Sequence, residues 1–178
     1  MTTKDGGASL LELMAVVLVV AILATITMPM LQHQIANREM ETLARRFISH
    51  AHFARDQALH MGRAVYIAPR FRNDWDTGWE VKSACSKKPC AEKTWFMQES
   101  VSPIFFKVGG KQFSGPNSEQ RRILFNAAGA AKTAQGGFVA NRLVLGHLKD
   151  RELERHLILG SGGRWRICDP QQDAKSCR

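Results

Sequence analysis

The chain has 178 residues, a formal net charge of +9 and an isoelectric point near 9.8, with 44% of its residues hydrophobic. That length accommodates one long helix and one modest globular domain and argues against two full domains. The basic excess bears on attraction to polyanions such as nucleic acid or anionic lipid, and decides nothing about fold.

The chain opens with a short polar stretch, Met-Thr-Thr-Lys-Asp-Gly-Gly, followed by Ala8, Ser9, Leu10, Leu11, Glu12 and Leu13. From Leu13 to Asn37 there is no Asp, Glu, Lys or Arg, and Leu13 to Thr27 is almost wholly aliphatic. As a helix this run is long enough to cross a bilayer core of about 30 Å. A secretory signal peptide needs a positively charged start, a shorter apolar core and a small-residue cleavage site. Here Lys4 is offset by Asp5, and the core is followed by Met-Pro-Met-Leu-Gln-His. A plain signal anchor leaves Gly7 and Glu12 unexplained. A carboxylate inside a membrane helix costs about 2.5–3.5 kcal/mol even on the gentler insertion scales, so Glu12 calls for a partner.

The helix is expected to continue past the apolar run. Met40, Leu43, Phe47, Ala51, Ala54 and Ala58 recur every three or four residues with charged residues elsewhere on the wheel, so this half should pack on a sheet. Gly62 suits a C-cap, and Pro29 should kink or locally unwind the helix. Beyond Gly62 the texture turns to short β-type runs at 64–68, 78–82, 94–97, 122–125, 137–139, 142–145, 156–159 and 164–168, an antiparallel pattern with polar, glycine-bearing loops between. The expected class is α+β.

Four cysteines form two local pairs, Cys85 with Cys90 and Cys168 with Cys177. In an oxidising compartment such pairs close small loops and each contributes about 2–3 kcal/mol. A four-cysteine zinc site is the alternative, but the spacings are wider than the tight Cys-x2-Cys knuckle.

Catalytic motifs are missing: there is no His-Glu-x-x-His, Gly-x-Ser-x-Gly or Walker-type loop, and the carboxylates suggest no matched acid–base pair. No enzyme activity, cofactor or metal is expected. His50 and His52, two apart on a helix, point to different faces. The stretch Gly160-Ser161-Gly162-Gly163 permits a tight reversal, and the alternation after it puts Arg164 and Arg166 on one face with Trp165 on the other. Two guanidinium groups at that spacing lie about 7 Å apart, close to the phosphate spacing along a nucleic-acid strand, and Arg favours bidentate phosphate contact. The same pattern also fits an ordinary hairpin with solvated arginines and a core Trp. Arg142, Lys149, Arg151 and Arg155, or Lys87 and Lys88, could widen a basic patch, with Asp150, Glu152 and Glu154 expected to cancel much of its field.

Gly7, the run from Ala8 to Leu13 and the apolar helix after it resemble the class III signal of type IV pilins and type II secretion pseudopilins. Ala54-Arg55-Asp56-Gln57-Ala58-Leu59, Gly62, Trp75, Gly78-Trp79-Glu80-Val81 and Ile123-Leu124-Phe125-Asn126 with Gly129 resemble the FimT/GspH branch of minor pilins and pseudopilins. Gly163-Arg164-Trp165-Arg166 is similar to the C-terminal Gly-Arg-x-Arg element that FimT-type pilins use to contact DNA in natural transformation.

The resemblance implies a type IV pilin-like fold, a long N-terminal helix packed on a C-terminal antiparallel β-sheet domain. It divides the chain into a leader at 1–7, a transmembrane helix at 8–30, its amphipathic continuation at 31–61 and a periplasmic β-rich domain at 62–178. It implies cleavage between Gly7 and Ala8 by a prepilin peptidase and N-methylation of Ala8, where the family usually has Phe. Glu12 becomes an assembly residue, able to neutralise a neighbour's terminal ammonium within lipid. The implied partners are other pilins, an inner-membrane assembly platform, membrane lipid and double-stranded DNA held by Gly163, Arg164 and Arg166. The implied location is the bacterial inner membrane and then a surface pilus, with a type II secretion pseudopilin of the GspH type as the alternative.

Overall fold

A computed structural model describes residues 9–71, 74–84, 93–107, 122–132, 137, 141–160, 162–175 and 177. Gly7, Ala8, Cys85, Lys87, Lys88, Cys90 and most of the run at 137–139 lie outside these residues. Helix α1 spans Leu10–Met61, 52 residues, and at 1.5 Å per residue is about 78 Å long. Ser9 caps its start, accepting from the Leu11 N–H at 3.4 Å, and Gly62 caps its end in the left-handed conformation. The helix continues through Pro29 without local unwinding. Proline's missing N–H and its ring clash with the preceding turn make it a poor interior residue, but the 19 helical residues before it and the 32 after it sustain the helix.

The two halves of α1 have opposite environments. Every residue from Leu10 to Gln34 is exposed, whereas Ala36, Met40, Leu43, Ala44, Phe47, Ala51, Ala54 and Ala58 are buried. The six positions singled out by periodicity are all in that set. Alanines at three-to-four-residue spacing let the sheets approach the helix closely, and Phe47 is the one large ring among them.

Among the described residues nine strands follow: β1 Val65–Phe71, β2 Asp74–Ser83, β3 Thr94–Gln98, β4 Ile104–Lys107, β5 Ile123–Phe125, β6 Ala131–Lys132, β7 Asn141–His147, β8 Glu154–Leu159 and β9 Trp165–Cys168. They form two antiparallel sheets, ordered β3-β2-β1-β5-β6 and β4-β7-β8-β9. The sequence pattern did not mark β4 or β6. The first is a four-residue run directly after a proline, and the second has only two residues. Both sheets face α1, and Phe47 is where they meet. Its ring lies 5.6 Å from Trp75 and 5.0 Å from Trp79 of β2, 6.0 Å from Phe106 of β4 and 5.5 Å from Trp165 of β9.

Gly78 is demanded by position: its φ is 94°, and a Cβ there would lie 2.0 Å from the Gln98 carbonyl oxygen of the adjacent strand. At the opposite end of the four-stranded sheet, the β7–β8 turn is tied to the helix. His33 Nδ1 lies 2.6 Å from Asp150, and fully buried His147 places Nε2 3.0 Å from Glu39. Because His147 Nδ1 accepts from the Lys149 N–H at 3.2 Å, Nε2 carries the proton and donates to Glu39.

Candidate nucleic-acid interface

The reversal before β9 is closed by two backbone bonds, Gly163 N–H to the Gly160 carbonyl at 3.0 Å and Gly160 N–H to the Arg164 carbonyl at 2.8 Å. Gly163 adopts φ 77°, and a Cβ on it would meet the Gly129 oxygen at 3.0 Å and Arg55 Nε at 3.2 Å. That approach is close because Arg55 Nε itself donates to the Gly129 carbonyl at 2.8 Å. The turn is thus seated on the helix beside the β5–β6 connection, and only glycine fits it.

From this seat β9 alternates as its sequence indicates. Trp165 faces the helix and stands edge-on to Phe47, while Arg164 and Arg166 are exposed on the other side. Register places Trp165 opposite Leu159, Ile167 opposite Leu157, and Arg166 opposite Ile158. Leu157 and Leu159 are fully buried, so the arginines share the outer face with Ile158.

The other basic candidates separate. Arg155 points inward: it is 6% exposed, pairs with Asp169 at 2.9 Å, and donates to the Asn37 side chain and to the Glu154 carbonyl. It is a structural ion pair rather than part of a surface patch. Lys149 and Arg151 lie on the β7–β8 turn, at the far end of the hairpin. Arg142, by contrast, reaches the same face as Arg166 through Ile158.

The acids expected to cancel the field sit elsewhere. Glu154 is bonded to Lys107, and that hydrogen bond is the main cause holding its carboxyl below the usual range. Asp150 is likewise held down, chiefly by the hydrogen bond from His33. Glu154 lies four residues from Ile158 along β8, about 13 Å away.

Cys168 and Cys177 form a disulfide with Cα atoms 5.6 Å apart, and the Cys177 carbonyl accepts from Arg142 of β7. His156 lies beside these sulfurs, its nitrogen within 4.8 Å of both. Joined to each other, the sulfurs are not the thiolates that a zinc site uses. His50 is packed rather than ligating. The Trp79 Nε1–H donates to its Nδ1 at 3.0 Å, Phe96 stacks on it at 4.7 Å, and burial, with a smaller push from Arg46, lowers its proton affinity. His52 is exposed on another face of the helix. Glu12 lies exposed in the first turn of α1.

A long helix with one half bare and the other half covered by antiparallel sheets is a type IV pilin-like fold. Residues 43–163 match the family described as type II transport protein GspH, and the chain belongs to that family. Two solved structures show the same fold. The type IV minor pilin FimU of Pseudomonas aeruginosa superposes with a TM-score of 0.57 at 16% identity, over 80% of this chain and 97% of that one. The minor pseudopilin EpsH of the Vibrio cholerae type 2 secretion system superposes with a TM-score of 0.51 at 13% identity, over 74% and 98%. No curated protein is significantly similar in sequence.

Proposed function

We propose that this protein is a minor pilin of a type IV pilus that binds extracellular DNA through Arg164 and Arg166 for uptake in natural transformation. In this reading residues 1–7 are removed by a prepilin peptidase and Ala8 is methylated. Residues 8–30 hold the subunit in the inner membrane until it is extracted into the filament. The bare stem supports the filament role. None of its most apolar window is buried against the protein's own domain, so lipid or neighbouring stems must cover it. Within that stem Glu12 is the costly group, and a neighbour's N-terminal ammonium would compensate it. We expect Glu12→Ala to remain in the inner membrane but to be depleted several-fold from sheared filaments; wild-type incorporation would remove the assembly role.

The observation that carries the DNA reading is the placement of the arginine pair. Asp150 meets the helix at His33, whereas the turn before Arg164 meets it at Arg55. Those helix positions are 22 residues, or about 33 Å, apart, so the pair lies at the end of the domain away from the membrane, where a duplex can reach it. Contact of this kind is to phosphates, sequence-tolerant and salt-sensitive. Titrating the full chain in detergent with duplex DNA at two salt concentrations tests it. Arg164→Gln with Arg166→Gln should weaken binding more than about twentyfold near 0.15 M salt and reduce the salt slope by about two. In cells the same double variant should lose transformation and keep its pili. Absent or salt-independent binding by the wild type rejects the reading.

The description of the matched family favours a second reading, a GspH-type pseudopilin of a type II secretion system. It predicts that the double variant leaves DNA uptake untouched, while loss of the whole subunit impairs protein export.

A further inference from the structure

The outer face of the β7–β8–β9 sheet carries one more cation than the Gly-Arg-x-Arg element supplies. Register aligns Arg142 of β7 with Ile158 of β8, and Ile158 with Arg166 of β9. Arg142 and Arg166 therefore leave the same face two strand spacings apart, about 10 Å, while Arg164 lies about 7 Å from Arg166 along the chain. The three make an L, two cations along one strand and a third across the sheet.

Arg142 is exposed yet anchored. One terminal nitrogen donates to the Cys177 carbonyl at 2.5 Å, and Cys177 is fixed by its disulfide to Cys168 on β9. The loop thereby braces one edge of the guanidinium, and a guanidinium has five donors, so others remain for a ligand. A braced Arg loses less side-chain freedom on binding than a free one. Among the acids of the same hairpin, Glu154 is engaged by Lys107 and Asp150 by His33, Glu152 lies on the far β7–β8 turn, and Asp169 of the tail is engaged by Arg155.

We infer that Arg142 is a third phosphate contact of a duplex-DNA site whose other two are Arg164 and Arg166. The inference rests on the DNA-binding reading above and extends the site from a strand end to a sheet face. Neutralising one phosphate releases about 0.9 counterion, so removing one contact lowers the slope of log K against log salt by about one and costs about fivefold in affinity near 0.15 M salt.

The test compares the full chain in detergent with Arg142→Gln, Lys149→Gln and the Arg164→Gln/Arg166→Gln pair, titrated with a short duplex of mixed sequence over a range of salt. Lys149 lies on the turn at the other end of the hairpin, so its variant reports the effect of losing one positive charge from the domain. Arg142→Gln should show the fivefold loss and the reduced slope, with Lys149→Gln close to wild type and both melting curves unchanged. If Arg142→Gln matches Lys149→Gln while the double variant abolishes binding, Arg142 is excluded and the DNA reading stands. If the wild type does not bind duplex DNA at any salt, the DNA reading falls and this inference falls with it.

Discussion

Replacing Phe47 with Ala should cost about 3–5 kcal/mol, near the upper end of that range, and lower the melting temperature by about 10–20 °C. The ring is fully buried and touches Trp75 and Trp79 of one sheet and Phe106 and Trp165 of the other. Alanine therefore deletes four aromatic contacts and leaves a cavity at the junction of the sheets, where neither can close it without leaving the helix. Phe47→Leu keeps most of the volume and should lose only about 1–2 kcal/mol. Thermal melts followed by tryptophan fluorescence check both, since three of the four neighbouring rings are indoles. An Ala variant that melts like the wild type would mean that the sheets are held together elsewhere.

Arg155→Ala should be comparably damaging, about 3–5 kcal/mol, for a different reason. Its guanidinium is the shared donor to Asp169, Asn37 and the Glu154 carbonyl, with 7% of its side chain and 14% of that of Asp169 exposed. Truncation strands a carboxylate in a site with little water, and an unpaired buried charge costs more than the pair itself stabilises. Arg155→Met combined with Asp169→Leu removes both charges and should recover most of the loss. Because domain stability is usually about 5–15 kcal/mol, either single change should be visible as reduced steady-state protein in cells. Urea denaturation of the three variants measures the ordering; a double variant no better than Arg155→Ala would overturn this account.

The contrast between these two residues explains what could be read from the chain. Phe47 belongs to a repeat of apolar positions at helical spacing, and that local pattern gave the buried face from Met40 to Ala58 except for Ala44. Strands with clear alternation were also legible, among them β7, β8 and β9, because period two is a property of neighbours in sequence. Arg155 was not legible as a core residue. Its inward position follows from alternation with Leu157 and Leu159, but what makes a buried charge tolerable there is Asn37, 118 residues earlier, and Asp169 in the tail. Charge alone placed it with the surface arginines. Arg142 presents the converse case. Only the register across Ile158 puts it beside Arg166, and register is a pairing between strands that no single stretch encodes. The division into two sheets, with β4 in the second, depended on the same kind of long-range pairing.

There is no joint between stem and head in this protein: the residues from Ala36 to Ala58 that carry the stem onward are the inner wall of the domain. Traction applied to the stem of an assembled fibre is therefore not absorbed by a flexible tether. It reaches both sheets directly as shear across the rings around Phe47, and the whole subunit responds as one stiff lever.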